Sequence, residues 1–180
     1  MSLIGSAYFI NDISVPALGG SIMEDYIKKY EPEILDKVLG YELRKLVDDD
    51  ATSPTRILEL VSGKDYTVSY NGRDQVVRWE GLRDSTTLIS LIAYYVYYWV
   101  HRNNITTTTQ NGEVLTAIEN ANIGSPNAKI GNAWYKMRQL VGYNGQHQLE
   151  PSLYNFLTKY TDTYPEWVFN DIGKVNMYGI

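Results

Sequence analysis

Residues Leu88 to Val100 read LISLIAYYVYYWV, with Asp84-Ser85 ahead of them and His101-Arg102-Asn103-Asn104 behind. Thirteen positions pass without a charge or a proline; four are tyrosine and one is tryptophan. A helix of this length rises about 20 Å, and a bilayer span needs about 20 apolar residues. The stretch therefore predicts a helix buried in protein, running from about Ser85 to Asn103. Its apolar side chains go all the way round. Leu88, Leu91, Ile92, Tyr95 and Trp99 make one face, Ile89, Ala93, Val96 and Val100 a second, and Tyr94, Tyr97 and His101 a third. Such a helix sits at the centre of a fold or under a neighbouring subunit. A chain of 180 residues has little bulk with which to cover it, so the stretch points to assembly.

Working outward, residues 1–20 read as an irregular arm. Ser21 opens a helix, with Glu24 three residues on as a capping box. Pro32 fits the first turn of a following helix, in which Leu35, Leu39, Leu43 and Leu46 recur at helical spacing. Gly40 inside it marks a kink or a close packing contact, and Asp48-Asp49-Asp50 with Pro54 ends the helical region. Residues 56–82 change period. Tyr66, Val68 and Tyr70 alternate, Asn71-Gly72 supplies a two-residue turn, and Val77 and Trp79 continue beyond it. This predicts a β-hairpin, which is marginal without packing or a partner. Beyond the central helix lies a polar loop, 104–124, containing Thr106-Thr107-Thr108-Thr109. Ser125-Pro126 then starts a helix with Ile130, Ala133, Trp134, Met137, Leu140 and Val141 as its apolar side. Gly142 and Gly145 stop it, a short helix from Pro151 follows, and residues 162–180 form a tail. The expected fold is a single mainly α domain over 1–180, a bundle of about four to five helices with one β-hairpin insertion.

The net charge of −5 is unevenly placed. Residues 1–50 hold 5 basic and 10 acidic side chains, and residues 51–180 hold 11 of each, so the excess is all at the front. Between Asn120 and Gln148 the charged residues are Lys129, Lys136 and Arg138, without an acid. An acidic end and a basic middle suit head-to-tail packing of like subunits; two solvated helix faces are the bland alternative. A duplex-DNA reader carries a basic face, which the chain as a whole lacks. The 16 Tyr against 3 Phe favour surfaces that bury rings on association while keeping a polar tip.

Few residues invite chemistry. The absence of cysteine excludes disulfides, zinc thiolates and thiol nucleophiles. Residues 1–20 lack the basic and long apolar regions of a secretory signal. His101 and His147 sit in no metal-binding pattern; His101, at a helix end, suits the negative pole of that helix. Asp48 to Glu59 has the acids of a calcium loop but Ser53 and Pro54 at its glycine and following positions, so it reads as an acidic helix end. Acid pairs such as Glu31 and Glu33 fall among lysines on helices, where carboxylates make a solvated face. No nucleophile elbow, phosphate loop or dinucleotide fingerprint occurs. No cofactor is implied, and no catalytic set can be named.

Several phrases carry a family resemblance: Tyr30-Glu31-Pro32-Glu33-Ile34-Leu35 running into Leu39-Gly40-Tyr41-Glu42-Leu43, Trp79-Glu80-Gly81-Leu82, and Ile92-Ala93-Tyr94-Tyr95-Val96-Tyr97-Tyr98 leading through Thr106-Thr107 to Ser125-Pro126-Asn127, with Met177-Tyr178-Gly179-Ile180 at the end. In these phrases and in element order the chain resembles the head-tail connector (head-completion, or neck) proteins of tailed phages and prophages. The resemblance implies a non-enzymatic structural subunit of the virion neck, made in the bacterial cytoplasm. It would form a homo-oligomeric ring between portal and tail-completion proteins, with DNA only passing through and no membrane partner. The candidate subunit-interface residues are Tyr66, Tyr70 and Trp79 on the hairpin, Thr106, Thr107 and Thr108 in the polar excursion, and Lys129, Lys136 and Arg138 on the basic helix. The 21-residue insert 104–124 departs from a small adaptor's pattern. The rival reading is a carbohydrate- or host-surface-binding module that uses its tyrosines for stacking; a third is an enzyme of unfamiliar fold.

Overall fold

The computed structural model describes residues 2–15, 20–48, 55–104, 106–109, 112–115, 126–170 and 172. In chain order, two 3-10 turns (Ser6–Tyr8, Asn11–Ile13) precede α1 (Gly20–Leu39), α2 (Tyr41–Asp48), α3 (Thr55–Ser62), β1 (Lys64–Tyr70) and β2 (Arg73–Trp79). Then come α4 (Leu91–Asn104), β3 (Thr106–Thr109), β4 (Gly112–Leu115), α5 (Pro126–Val141) and α6 (Leu153–Lys159). The fold is mainly α with a β-hairpin insertion. The helices stack in the order α2, α1, α4, α5, with α4 packed between α1 and α5, α3 against α2 and α6 against α5.

The central helix begins later than its apolar run. Leu88 takes a left-handed conformation (φ 57°), and the Asp84 carboxylate gathers the Thr86 amide (2.7 Å) and the Thr87 hydroxyl (2.5 Å) into a turn. Ser90 then caps α4: its Oγ accepts from the Ile92 amide (3.1 Å) and donates to the Leu82 carbonyl (2.7 Å). A buried serine tied to both elements sets the helix start where the hairpin ends.

Leu91 to Tyr98 and Val100 are all buried by the chain itself. Cover comes from α1, α5 and the second N-terminal turn. Exposure of α4 to a neighbouring subunit, expected from the size of the chain, is thus not observed. The arm does more than the sequence suggested: Ile4, Tyr8, Phe9 and Ile13 are buried in the same core. Fully burying one large apolar side chain contributes roughly 1.5–3 kcal/mol, so an irregular segment with four of them is part of the fold.

The tyrosines make a network inside the core. Tyr26, Tyr30 and Trp99 form a stacked run (6.1 and 5.5 Å between ring centroids), and Tyr95 and Tyr98 pack on Trp134 of α5. Trp99 and Trp134 are half-buried against that core. The hydroxyls reach its polar rim: Tyr95 donates to Glu33 (2.7 Å), Tyr164 to the Arg56 carbonyl (2.6 Å), and Tyr30 accepts from Asn103 (2.7 Å). These three tyrosines fill the core near its edge with their polar tips satisfied, whereas the Tyr66 hydroxyl and the indole N–H groups of Trp99 and Trp134 are buried without a hydrogen-bond partner. The tyrosine bias is met largely inside one chain.

Three boundaries differ from the sequence reading. α1 runs unbroken through Pro32, where two helices were expected; proline removes one amide donor and crowds one carbonyl, and burial of Ile27, Tyr30, Ile34, Leu35, Val38 and Leu39 along the same helix outweighs that loss. Residues 56–62, expected within the hairpin region, belong to α3, because Ile57, Leu60 and Val61 bury at helical spacing. Within the polar loop, β3 pairs with β4, Thr106 opposite Leu115 and Thr109 opposite Gly112. Threonine is a good strand former; Gln110 and Asn111, between the two strands, lie outside the described residues. The rest of that loop, 116–124, lies outside the described residues, as do the acidic run beyond Asp48 and the cap residue Ser125.

The hairpin register follows its turn: Tyr70 opposite Arg73 and Lys64 opposite Trp79, with Asn71 (φ 51°) and Gly72 (φ 74°) both left-handed, as a primed two-residue turn demands. Where the chain enters and leaves the hairpin, Gly63 and Gly81 lie back to back. Leu82 and Arg83 amides donate to the Leu60 and Val61 carbonyls (3.2 and 3.1 Å), clasping the hairpin exit to the end of α3. A Cβ on Gly81 would stand 2.5 Å from the Val61 carbonyl oxygen, and one on Gly63 would run into the Trp79 carbonyl. Gly40, between α1 and α2, is a close-packing site too: Val168 rests on it, and the Val168 amide donates to the Leu39 carbonyl (3.3 Å).

Candidate interaction surfaces

The hairpin has a buried and an exposed face. Tyr66, Val68, Val77 and Trp79 point inward, and Asp65, Thr67, Val76 and Arg78 outward. Tyr66 packs on Phe156 and Tyr160 of α6, and Trp79 stacks on Phe156 while donating its indole N–H to the Leu60 carbonyl (2.9 Å). Two of the expected interface rings are therefore core residues: α6, a helix distant in sequence, already occupies the face assigned to a partner. Tyr70 is half-buried, its ring 4.9 Å from that of His147. Burial pushes the Tyr66 phenol up to about 12, so it stays protonated throughout the physiological range.

Beyond Tyr70 the hairpin projects. Residues 71–76 are all exposed, Val76 at 74 %. Each hairpin is a two-stranded sheet among the described residues, so each of its strands has one edge without a strand partner. Thr106, Thr107 and Thr108 lie on β3, next to α4.

The basic helix divides its three cations. Lys129 and Lys136 are exposed and Arg138 half-buried. Lys136 is paired with Asp12 of the arm (2.6 Å), so one acid of the front half does meet the basic helix, within the same chain. Tyr135, absent from the sequence-based candidates, stands 63 % exposed between Lys129 and Arg138, and Tyr143 is 46 % exposed just past the helix end. Grooves of about 480 and 590 Å³ flank Tyr135, the first lined by Asp12, Lys129 and Lys136, the second by Arg138, Tyr143 and Glu150. The signal for Tyr135 was in the sequence: it falls outside the Ile130, Ala133, Trp134, Met137, Val141 side of the helix.

Titratable groups away from these faces have structural surroundings. His101 is half-buried against Tyr97 (4.2 Å between rings), and burial together with nearby Lys129 lowers its pKa; it is neutral at pH 7 and brings no charge to the end of α4. Glu59 pairs with Lys64 (2.7 Å); residues 49–54 of the Asp48–Glu59 stretch lie outside the described residues, and among the described residues no group of three or more His, Asp or Glu could hold a metal. No helix among them is long and apolar enough to cross a membrane.

Glu31 is the exception to the solvated-face reading: it is only 4 % exposed. It holds the arm, accepting from the Ser2 hydroxyl (2.6 Å) and the Leu3 amide (2.7 Å). Glu24, expected in a capping box, instead accepts from the Ser6 amide (3.1 Å). Burial raises the Glu31 pKa, more than the Ser2 and Leu3 hydrogen bonds lower it. The linkage has a definite sign: a carboxyl raised in the folded state favours folding most below its unfolded pKa of about 4.3, and that contribution is lost as pH rises through the folded value. A carbon-13 titration of the Glu31 carboxyl should give a midpoint above that of a free glutamate. Glu31→Gln should remove the corresponding loss of stability with rising pH. A midpoint at or below the free value would show that the hydrogen bonds outweigh burial.

Comparison of the chain with family models, curated proteins and solved structures yields no match in any of the three.

Proposed function

We propose that this chain is a non-enzymatic structural subunit of a tailed-phage virion neck, one copy in a ring that lies between portal and tail and continues the DNA channel. The observation that carries the reading is the exposed end of the β1–β2 hairpin: its inner face packs on α6, its tip at residues 71–76 is exposed, and among the described residues neither strand has a strand partner on its outer edge. Unpaired strand edges template pairing with another chain, and a subunit that must grip neighbours while keeping its own core intact needs such an arm. The resemblance in element order and local phrases supplies the setting, portal above and tail-completion protein below.

The test mixes purified protein with the portal protein of the same genome and images the product by electron microscopy. A ring seated on the portal is the expected result. No ring and no portal complex, together with tight binding on a glycan array, would replace this reading with the carbohydrate-binding module.

A further inference from the structure

Five of the seven residues of β2, Arg73 to Val76 and Arg78, are exposed, whereas Val77 and Trp79 turn into the core. Among the described residues no strand lies on its outer edge. In an antiparallel ladder, opposite residues alternate between pairs that exchange both backbone hydrogen bonds and pairs that exchange none. The two-residue turn makes Tyr70 and Arg73 a bonded pair, so Val68 with Gln75, Tyr66 with Val77 and Lys64 with Trp79 are bonded too. Asp74, Val76 and Arg78 therefore direct their N–H and C=O groups to the free edge. Their side chains share the outward face, with the exposed Val76 in the middle. Asp74 lies opposite Ser69, and its carboxylate has no ion pair among the described residues. Arg78 uses Nη1 on Asp65 (3.0 Å) and Nε on Glu80 (3.4 Å), which leaves Nη2 to donate.

We propose that two copies of this chain pair antiparallel along their β2 edges, with Val76 on the two-fold axis, making one four-stranded sheet in the order β1, β2, β2, β1. The occupant is a second copy because the edge is complementary to itself in a single register. With Val76 opposite Val76 of the other copy, Asp74 of each meets Arg78 of the other, twice over and on one face. Edge-facing residues must meet edge-facing residues, so registers differ in steps of two. One step either way sets Val76 against Asp74 or Arg78, and two steps set Asp74 or Arg78 against its own copy. Charges on an edge strand guard it against pairing; here the guard opens to a second copy in the Val76-centred register. The backbone bonds and the Val76 contact supply the attraction. Exposed ion pairs are individually weak and act on register, since like charges directly opposite destabilise a pair. The inference goes beyond the neck reading and does not rest on it. A two-fold contact closes on itself and cannot run round a ring. One edge takes one strand, so a subunit paired in this way withholds β2 from a ring neighbour.

The experiment uses Asp74→Lys and Arg78→Glu, both at exposed sites, and Val76→Pro, whose lost N–H faces the free edge and not β1. Thermal unfolding checks that each folds, and sedimentation velocity reads the dimer. Wild-type protein should dimerise. Each charge variant alone should do so about tenfold more weakly, because two like pairs replace two opposite ones, and Val76→Pro should stay monomeric. An equal mixture of Asp74→Lys with Arg78→Glu should regain the dimer, since both cross pairs are then of opposite sign. In the wild-type protein, hydrogen exchange at the amides of Asp74, Val76 and Arg78 should slow as concentration rises. Should Arg78→Glu not fold, Val76→Pro and the exchange pattern decide. A wild-type protein that stays monomeric to millimolar concentration would overturn the pairing. So would a mixture no better associated than its components, a Val76→Pro protein that still dimerises, or a dimer that leaves those three amides unprotected. The portal experiment reads the neck proposal separately: a β2 dimer without a portal ring keeps this contact and removes the neck, and a portal ring from a protein that never dimerises does the reverse.

Discussion

Trp79→Ala should lower the unfolding free energy by about 4–6 kcal/mol, the sum of a fully buried Trp truncation and one hydrogen bond. Trp79 is 1 % exposed, at the end of β2, where it stacks on Phe156 and donates to the Leu60 carbonyl. It is the contact through which the hairpin is held to both α3 and α6. A domain of this size is stable by about 5–15 kcal/mol, so the variant should be largely unfolded at modest urea. Trp79→Phe separates the two contributions. It keeps an apolar ring and loses the N–H, while the Leu60 carbonyl still accepts from the Leu82 amide; its cost should be about 1–3 kcal/mol, hydrogen bond plus a small cavity. A loss below about 2 kcal/mol for the alanine variant in urea denaturation, against the 3–5 typical of buried Trp, would mean that the hairpin is not anchored there.

Gly81→Ala should be comparably damaging for a different reason. Gly81 has φ 96°, and its added Cβ would stand within 2.8 Å of three backbone atoms of residues 61–63, including the Val61 carbonyl oxygen at 2.5 Å. Backbone cannot step aside as a side chain can. The left-handed conformation costs about 1–2 kcal/mol for a residue with a Cβ, and overpacking adds about 1–3 kcal/mol. Gly145→Ala is the control: it shares the positive φ (87°) but nothing lies within 4 Å of its Cβ, so only the conformational cost of about 1–2 kcal/mol applies. Equal losses of stability in the two variants would show that the clasp between α3 and the hairpin exit carries no packing constraint.

Part of the candidate surface was legible and part was not. Lys129, Lys136 and Arg138 stand out as a run of bases without an acid, and Tyr135 could have been found by asking which residues fall off the apolar side of α5. The packing of Val168 on Gly40, well over a hundred positions apart, could not. Tyr66 and Trp79 were misassigned to an interface because alternation shows that a strand has an inner face without showing what covers it. Here the cover is α6.

By itself the sequence determined the mainly α class, the hairpin with its Asn71-Gly72 turn, the buried central helix, the special position of Gly40 and the helix end at Gly142. These depend on local matters: periodicity, glycine's access to positive φ, proline's missing amide. The tertiary structure alone decided that α1 passes through Pro32, that Asp84 and Ser90 delay the start of α4, that Glu24 and Glu31 hold the N-terminal arm, and that the chain is large enough to cover its own central helix. The proline case is a competition between a local cost of about 3 kcal/mol and the larger sum of burial over many residues far apart in sequence, and the buried Glu31 carboxyl is held by hydrogen bonds that offset its desolvation. Local rules state the preference, and only the assembled core shows which side of the competition is greater.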